Sequence, residues 1–192
     1  AAAGWLDKVF GVKDIDPATE ILHSIGSKPS LAMLPHVLIN PGDTALMTVP
    51  GYPVFGTYTK YLGGNVHNIR LTAENGFLPD LASIPAEVLG RAKVLVLNYP
   101  NNPTGHGATP EFFRSVVDFA QKHNIVIIHD AAYAALTYGR KPLSFLAPGD
   151  ERHAPSGHVE GLRQRMNLEA DLLRAGGKEL VAAYGTVKDN TD

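Results

Sequence analysis

Two continuous apolar runs constrain the fold of this chain more than any other feature of its sequence. They span Ala92–Asn98 and Ile125–Asp130. Such runs are typical of strands that are buried on both faces, as they are in a parallel sheet. Between them, Thr109–Glu111 has the pattern of a helix start, an apolar helical face follows, and Asn124 ends it. The alternation predicts an α/β fold with three layers, α/β/α, around a mostly parallel sheet.

The segment before these runs extends the same alternation. Thr44–Val49 and Val66–Leu71 are predicted strands, and Val54–Leu62 between them is a predicted helix. Leu31–Leu38 and residues 1–10 also have helical patterns. The residues predicted to form the apolar side of the first helix are Trp5, Leu6, Val9 and Phe10.

The composition excludes several classes of protein. The chain has 192 residues, enough for one domain with a real core. Its net charge of -2, without a block of like charge, predicts no nucleic-acid and no membrane binding. It has no cysteine, which excludes disulfides and thiolate metal sites. Neither a membrane-spanning run nor a secretory signal is present in this sequence, so we expect a soluble cytoplasmic protein.

Polar and aromatic residues follow three of the predicted strands. Tyr52 follows the strand Thr44–Val49, and the loop Asn98–Gly105 follows the strand Ala92–Asn98. Asp130 and Tyr133 lie at the end of the strand Ile125–Asp130 and just after it. Ligands of parallel sheets bind at the carboxyl ends of strands. We therefore expect these three strand ends to line one pocket.

These residue types suit a flat heteroaromatic ligand. A carboxylate such as Asp130 can keep a ring nitrogen protonated, which makes the ring an electron acceptor. Tyr133 could reach the same ligand, and the Asn102 amide could donate to a phenolate-like oxygen. Tyr52 could stack on the ring. The structural alternatives are a capping Asp, packed tyrosines and an Asn that stabilises a turn.

A turn near the start of the chain suggests an anion site. The apolar run Ile21–Ile25 is a predicted strand, and the turn Gly26–Ser30 leads from it into a predicted helix. The free N–H groups at such a helix start attract phosphate. The eight histidines show no metal-ligand spacing, so no metal is predicted. Gly-x-Ser-x-Gly, P-loop and dinucleotide-binding motifs are absent.

The combination of Asn101–Gly105 with Asp130 and Tyr133 resembles the fold-type I, class I/II aminotransferases, which use pyridoxal 5'-phosphate. Within that family, the amino-acid sequence of these motifs is most similar to the LL-diaminopimelate aminotransferase branch. The segments that carry this closer resemblance are Val49–Phe55, His129–Tyr138 and Lys141–Phe145. The resemblance implies an incomplete aminotransferase large domain, and we expect the chain to be a piece of a longer protein.

The resemblance also implies three regions. Residues 1–147 correspond to part of the cofactor-binding large domain. Residues 148–177 form an atypical segment that replaces the lysine region, and residues 178–192 correspond to the start of the helix that leads toward the small domain. The arginine that binds the substrate carboxylate in the family would lie outside these 192 residues.

The resemblance assigns roles around the cofactor ring. Asp130 would pair with the pyridine nitrogen. Tyr133 and Asn102 would hydrogen-bond the ring hydroxyl oxygen, and Tyr52 would stack on the ring. The family's reaction moves an amino group between an amino acid and a 2-oxo acid, which are the implied substrates.

Two further properties follow from the resemblance alone. Ser27 and Lys28 fall where the family contacts the cofactor phosphate. Family members are homodimers with active sites at the interface, so a homodimer is implied for this chain.

The family's catalytic lysine has no counterpart at the matching place. In the family it forms a Schiff base with the cofactor and then moves a proton between two substrate carbons. The corresponding stretch here, residues 159–167, contains no lysine, and none occurs between Lys141 and Lys178. We therefore identify no catalytic residue. We expect residues 148–177 to be a different sequence of similar length that stands where the family has its lysine segment, rather than a deletion.

This loss has a chemical consequence. Arg163 and Arg165 cannot replace the lysine, because a guanidinium group stays protonated. We predict that a chain with this sequence carries out no useful transamination. Two alternatives remain. One is an inactive remnant that binds a ligand or partner, and the other is a fold-type I carbon–sulfur lyase, which would share Asp130 and Asn102.

Overall fold

The computed structural model describes residues 1–136, 138–139 and 142–147. These residues belong to two compact units. One unit contains Ala1–His23 with residues 142–147, and the other, which we call the sheet unit, contains residues 24–136 and 138–139. The predicted atypical segment at 148–177 and the predicted helix start at 178–192 lie outside the described residues.

A four-stranded parallel sheet forms the centre of the sheet unit. Its strands are β1 (Thr44–Val49), β2 (Asn65–Arg70), β3 (Ala92–Asn98) and β4 (Val126–Asp130). Their order across the sheet is β2-β1-β3-β4, and every neighbouring pair is parallel. The predicted α/β fold with a mostly parallel sheet is therefore confirmed, with strand boundaries within a residue of those predicted.

Helices connect the strands. In chain order they are α1 (Ala2–Phe10), α2 (Ser27–Met33), α3 (Pro35–Leu38), α4 (Val54–Tyr61), a 3-10 turn (Leu81–Ser83), α5 (Ala86–Leu89) and α6 (Pro110–His123). The Thr109 hydroxyl accepts a hydrogen bond from the Phe112 N–H at 3.2 Å and so begins α6. Asn124 ends α6 in a left-handed conformation, with φ 55°. Among the described residues, no helix is long and apolar enough to cross a membrane.

The core of the sheet unit lies on the two central strands. Leu46 of β1 and Leu95 of β3 are completely buried, and Phe55 of α4 and Val116 of α6 add large buried side chains. The edge strand β2, in contrast, has a mostly exposed or half-buried polar sequence. The polar sequence of β2 fits its place at the edge of the sheet, because only a strand with an apolar sequence gains from burial on both faces.

The predicted strand at Ile21–Ile25 is wrong. Residues 21–26 form neither strand nor helix, and Leu22 and Ile25 are 44% and 85% exposed. A short apolar run gains nothing from strand formation without a layer to cover it. The following helix begins at Ser27 rather than near residue 31, and a new helix begins at Pro35, which has no N–H to continue the hydrogen-bond ladder.

Helix α1 of the first unit forms where it was predicted. Leu6 and Phe10 are buried, as expected for its apolar side. Trp5, placed on the same side by the sequence pattern, is instead 38% exposed, and its ring forms a T-shaped pair with the Phe10 ring, with 5.2 Å between the ring centroids. The apolar stripe is thus narrower than predicted, because Trp5 lies at its margin.

Candidate active site

The carboxyl ends of three strands lie at one edge of the sheet. Because β1, β3 and β4 are neighbours and parallel, the residues that follow them emerge on the same side. Asn98 and Asp130 are the last residues of β3 and β4, and they face each other in the strand register. Tyr52 lies three residues beyond Val49, the end of β1. The topology therefore brings the predicted ring-contacting residues to the same edge.

Asp130 is a buried carboxylate with one weak internal partner. It is 7% exposed, and one carboxylate oxygen accepts a hydrogen bond from the Ala132 N–H at 3.3 Å. Burial raises the pKa of Asp130, and the Ala132 N–H offsets part of that rise. Within the described part of the chain, no other hydrogen bond reaches this carboxylate. A cationic N–H donor at this edge would therefore find a favourable acceptor.

The side chains of Asn102 and Tyr133 form a polar pair in the sheet unit. The Asn102 side-chain amide donates to the Tyr133 hydroxyl at 3.4 Å, which is a long hydrogen bond. Asn102 is half-buried and Tyr133 is 40% exposed. The amide retains a second hydrogen, and the hydroxyl retains its own. Both residues can thus donate to one further oxygen atom.

The loop that carries Asn102 is held by its own hydrogen bonds. The buried Asn101 is the centre of this network: its N–H donates to the His106 carbonyl at 2.8 Å, and its carbonyl accepts from Gly105 at 2.8 Å. The Thr104 hydroxyl donates to the Asn101 side chain at 2.8 Å. Gly105 has φ 72°, which favours glycine. The loop is therefore an ordered platform for Asn102.

Tyr52 is half-buried. Its loop lies directly on the end of β1. A Cβ atom at Gly51 would be 2.3 Å from the main-chain oxygen of Thr48. This close approach fixes the path of the chain from β1 to Tyr52.

We expect Gly51→Ala to destabilise the chain by about 1–3 kcal/mol, because the new methyl group must displace main-chain atoms. The change should also move Tyr52 and weaken ligand binding at this edge. Urea unfolding measures the first effect. Gly107→Ala is the matched control, because a Cβ atom there would meet nothing within 4 Å. Equal unfolding free energies for the two variants would contradict the prediction.

Ser27 and Lys28 lie in the first turn of α2. The turn follows Gly26, which has φ 107°. Ser27 is half-buried and Lys28 is exposed. Helix α2 packs against α4, which begins two residues after Tyr52. Among the described residues, neither side chain hydrogen-bonds to Asp130, Asn102 or Tyr133. The structure therefore links Ser27 and Lys28 to the site only through the packing of α2 on α4.

The sequence placed Asn98 at the pocket edge without a role, and it gave no role to the half-buried His129. The Asn98 side-chain amide donates to the Asp130 carbonyl at 2.9 Å. The Nε2 atom of His129 lies 2.9 Å from the Tyr99 carbonyl, and burial lowers the pKa of His129 to about 4. The available signal was a polar residue within an otherwise apolar strand, since such residues are paired when buried.

Metal binding finds no support in the described ranges. In residues 1–136, 138–139 and 142–147, no group of three or more His, Cys, Asp or Glu side chains could hold a metal ion. The site is instead built from one buried carboxylate, amide and phenol donors, and an aromatic ring. This set of groups suits an organic ligand better than a metal.

The chain belongs to the family of class I and II aminotransferases. The family's sequence profile, described as "Aminotransferase class I and II", matches residues 5–171. This match covers most of the chain, and it confirms the family resemblance derived from the motifs.

Similar curated proteins narrow the comparison. The chain is 50% identical over 194 residues to an LL-diaminopimelate aminotransferase of Methanocaldococcus jannaschii, and this match covers 100% of the chain and 46% of that protein. It is also 50% identical over 190 residues to the protein of the same name in Methanococcus maripaludis, covering 98% of the chain and 45% of that protein. The chain thus spans about half the length of these relatives.

Solved structures support the same family. The apo structure of BacF from Bacillus subtilis is 42% identical with a TM-score of 0.73, over 76% of this chain and 38% of that one. A probable N-succinyldiaminopimelate aminotransferase from Thermus thermophilus is 36% identical with a TM-score of 0.70, over 77% of this chain and 40% of that one. At these identities the likeness includes the sequence as well as the fold.

Proposed function

We propose that this chain is the cofactor-binding part of a pyridoxal 5'-phosphate-dependent aminotransferase of the LL-diaminopimelate type, which serves lysine biosynthesis. One observation carries the proposal: two relatives with that name are 50% identical over nearly the whole chain. The proposed substrates are an amino acid and a 2-oxo acid. The proposed assembly is a homodimer, as the family resemblance implies.

Asp130 is the proposed partner of the cofactor's ring nitrogen. When bound, pyridoxal 5'-phosphate supplies a protonated ring that accepts electrons from a substrate carbon. Burial makes the Asp130 carboxylate costly without a cationic partner, and its single 3.3 Å hydrogen bond leaves room for one. A carboxylate held in this way keeps the proton on the ring nitrogen.

Asn102 and Tyr133 are the proposed donors to the ring hydroxyl oxygen. Their mutual distance of 3.4 Å and their remaining hydrogens support this role. Tyr52 is proposed to stack on the ring, since its loop rests on the end of β1. These three residues would orient the ring and exclude water from part of it.

Ser27 and Lys28 are proposed to contact the cofactor phosphate. Their place in the first turn of α2 supports the proposal, because N–H groups are free there and a lysine charge is adjacent. Helix α2 packs against α4, which directly follows the Tyr52 loop. That packing supports a phosphate on the Tyr52 side of the sheet edge.

We predict that this chain binds pyridoxal 5'-phosphate without a covalent bond and does not transaminate. Residues 159–167 supply no lysine amine, and the arginines there cannot act as a base. Borohydride treatment of the mixture, followed by peptide mass spectrometry, measures covalent attachment. Incubation with LL-diaminopimelate and 2-oxoglutarate measures transamination.

The control for this experiment is Asp130→Asn. Reduction at exposed lysines outside the site, such as Lys122 in the last turn of α6, would persist in that variant, whereas attachment in the site would disappear. A lysine that is modified in the wild type but not in Asp130→Asn would contradict the prediction of a non-covalent complex. Formation of product glutamate would contradict the prediction of an inactive chain.

One alternative function has an observation in its favour. The absence of lysine between residues 141 and 178 supports an inactive remnant that binds a ligand through the retained sheet edge. Tight cofactor binding without turnover would support it. Release of ammonia instead of transfer to a 2-oxo acid would indicate the carbon–sulfur lyase alternative.

A further inference from the structure

The side-chain amide of Asn98 connects the two strand ends that carry the proposed cofactor contacts. Its Nδ2 atom donates to the Asp130 carbonyl at 2.9 Å, and its Oδ1 atom accepts from the Asn102 N–H at 2.7 Å. Asn98 is 4% exposed. One buried side chain therefore bonds to the main chain of both Asp130 and Asn102, which lie on different segments.

The position requires a group that both donates and accepts. At this point β3 ends and the chain turns away, so the main-chain ladder between β3 and β4 cannot continue past the pair Asn98 and Asp130. The side-chain amide takes over that pairing. A carboxylate could accept from Asn102 but could not donate to the Asp130 carbonyl, and an alkyl group could do neither.

The loop before Asn102 has a separate attachment. The Tyr99 carbonyl is bonded by His129 at 2.9 Å, and the Tyr99 hydroxyl donates to the Phe77 carbonyl at 2.7 Å. The start of the loop is thus held without Asn98. What Asn98 determines is the separation between the Asp130 main chain and the Asn102 main chain.

We infer that Asn98 is a positioning residue that sets the spacing between the Asp130 carboxylate and the Asn102 amide, and thereby aligns the two groups with the nitrogen and the hydroxyl oxygen of one heteroaromatic ring. The inference rests on the proposed function. Asn98 itself does not contact the ring. Its loss would leave both groups present but out of register with the ring nitrogen and the ring hydroxyl oxygen.

The experiment measures binding of two probes to the 192-residue chain. One probe is pyridoxal 5'-phosphate. The other is its deaza analogue, in which a C–H group replaces the ring nitrogen, so that Asp130 has no proton to hold.

The variants are Asn98→Leu and Asn98→Asp. The matched controls are Asn65→Leu and Asn65→Asp, since the Asn65 amide also donates to a main-chain carbonyl, that of Gly42 at 3.2 Å, but at the amino edge of the sheet.

For Asn98→Leu we expect about a tenfold or greater loss of affinity for pyridoxal 5'-phosphate. The loss for the deaza analogue should be clearly smaller, because the alignment of Asp130 no longer matters. The Asn65 controls should bind both probes as the wild type does. Equal losses for the two probes would show that Asn98 only supports the fold, and would overturn the inference.

Asn98→Asp keeps the test valid if Asn98→Leu does not fold. A protonated carboxyl group donates one hydrogen bond and accepts another, as the amide does, whereas the carboxylate only accepts. We expect Asn98→Asp to bind pyridoxal 5'-phosphate more weakly than the wild type at any pH where its carboxyl group is ionised, because the donor to the Asp130 carbonyl is then lost. Asn65→Asp, which adds a charge away from this edge, should bind as the wild type does. An Asn98→Asp affinity equal to that of the wild type at about pH 8 would overturn the inference.

Failure of the proposed function gives a different result. If the wild type and Asp130→Asn bind pyridoxal 5'-phosphate equally, Asp130 does not hold the ring nitrogen, and the inference falls together with the proposed function. If the wild type exceeds Asp130→Asn but the Asn98 variants match the wild type, the inference alone falls.

Discussion

Replacing Asp130 with Asn should weaken the binding of pyridoxal 5'-phosphate to this chain by about a hundredfold or more. The substitution keeps the size of the side chain, and its amide oxygen can still accept the 3.3 Å hydrogen bond from the Ala132 N–H. It removes only the negative charge opposite the protonated ring nitrogen. Loss of one partner from a buried charge pair leaves the other charge uncompensated, which is costly at a site that is only 7% exposed.

Equilibrium dialysis at neutral pH measures the affinity, and circular dichroism checks the fold. Asp43→Asn is the control, because an Asp43 carboxylate oxygen also accepts from a main-chain N–H, that of Asn40 at 2.9 Å, but ahead of β1 at the opposite edge of the sheet. The control should bind as the wild type does. An Asp130→Asn chain that folds and binds like the control would refute the assignment of Asp130 to the ring nitrogen.

The sequence predicted the strands well because apolar runs leave a strong pattern. Ala92–Asn98 and Ile125–Asp130 both became parallel strands, and β3 is buried apart from Lys93. The prediction that β4 is buried on both faces is wrong for the described residues, because β4 lies at an edge of the sheet and is mostly half-buried. Ile21–Ile25 is apolar as well but forms no strand. Apolar composition shows that a segment can be buried, whereas the presence of a covering layer depends on the rest of the fold.

The site was predictable to the level of strand ends. Tyr52, Asn102 and Asp130 could be placed at one edge, because parallel strands end together. The bond from Asn98 to the Asp130 carbonyl joins residues 32 positions apart and depends on the register of β3 and β4. No local pattern encodes that register, so the linking role of Asn98 emerged only from the structure.

The unfolding free energy of the chain should fall as pH drops from about 7 to about 4, and His129 should account for about 3 kcal/mol of that fall. Burial lowers the pKa of His129 to about 4 in the folded state, compared with an ordinary value of 6.5. Below the ordinary value the unfolded chain takes up a proton that the folded chain excludes. Stability from the neutral imidazole is therefore complete above about pH 7 and is lost as pH falls toward 4.

His129→Gln isolates this contribution, because glutamine does not titrate but can still place an amide near the Tyr99 carbonyl, which lies 2.9 Å from Nε2 in the wild type. Urea unfolding at several pH values gives the difference between the two chains. The difference should shrink, or reverse in favour of the variant, as pH falls. Asp130 acts in the opposite direction, since its raised pKa lets the folded chain bind a proton first, but it is common to both chains and cancels.

The control is His36→Gln, which changes an exposed histidine of α3. This variant should retain the full pH dependence of the wild type. If His129→Gln retains it too, the buried imidazole is not what makes the folded chain acid-sensitive.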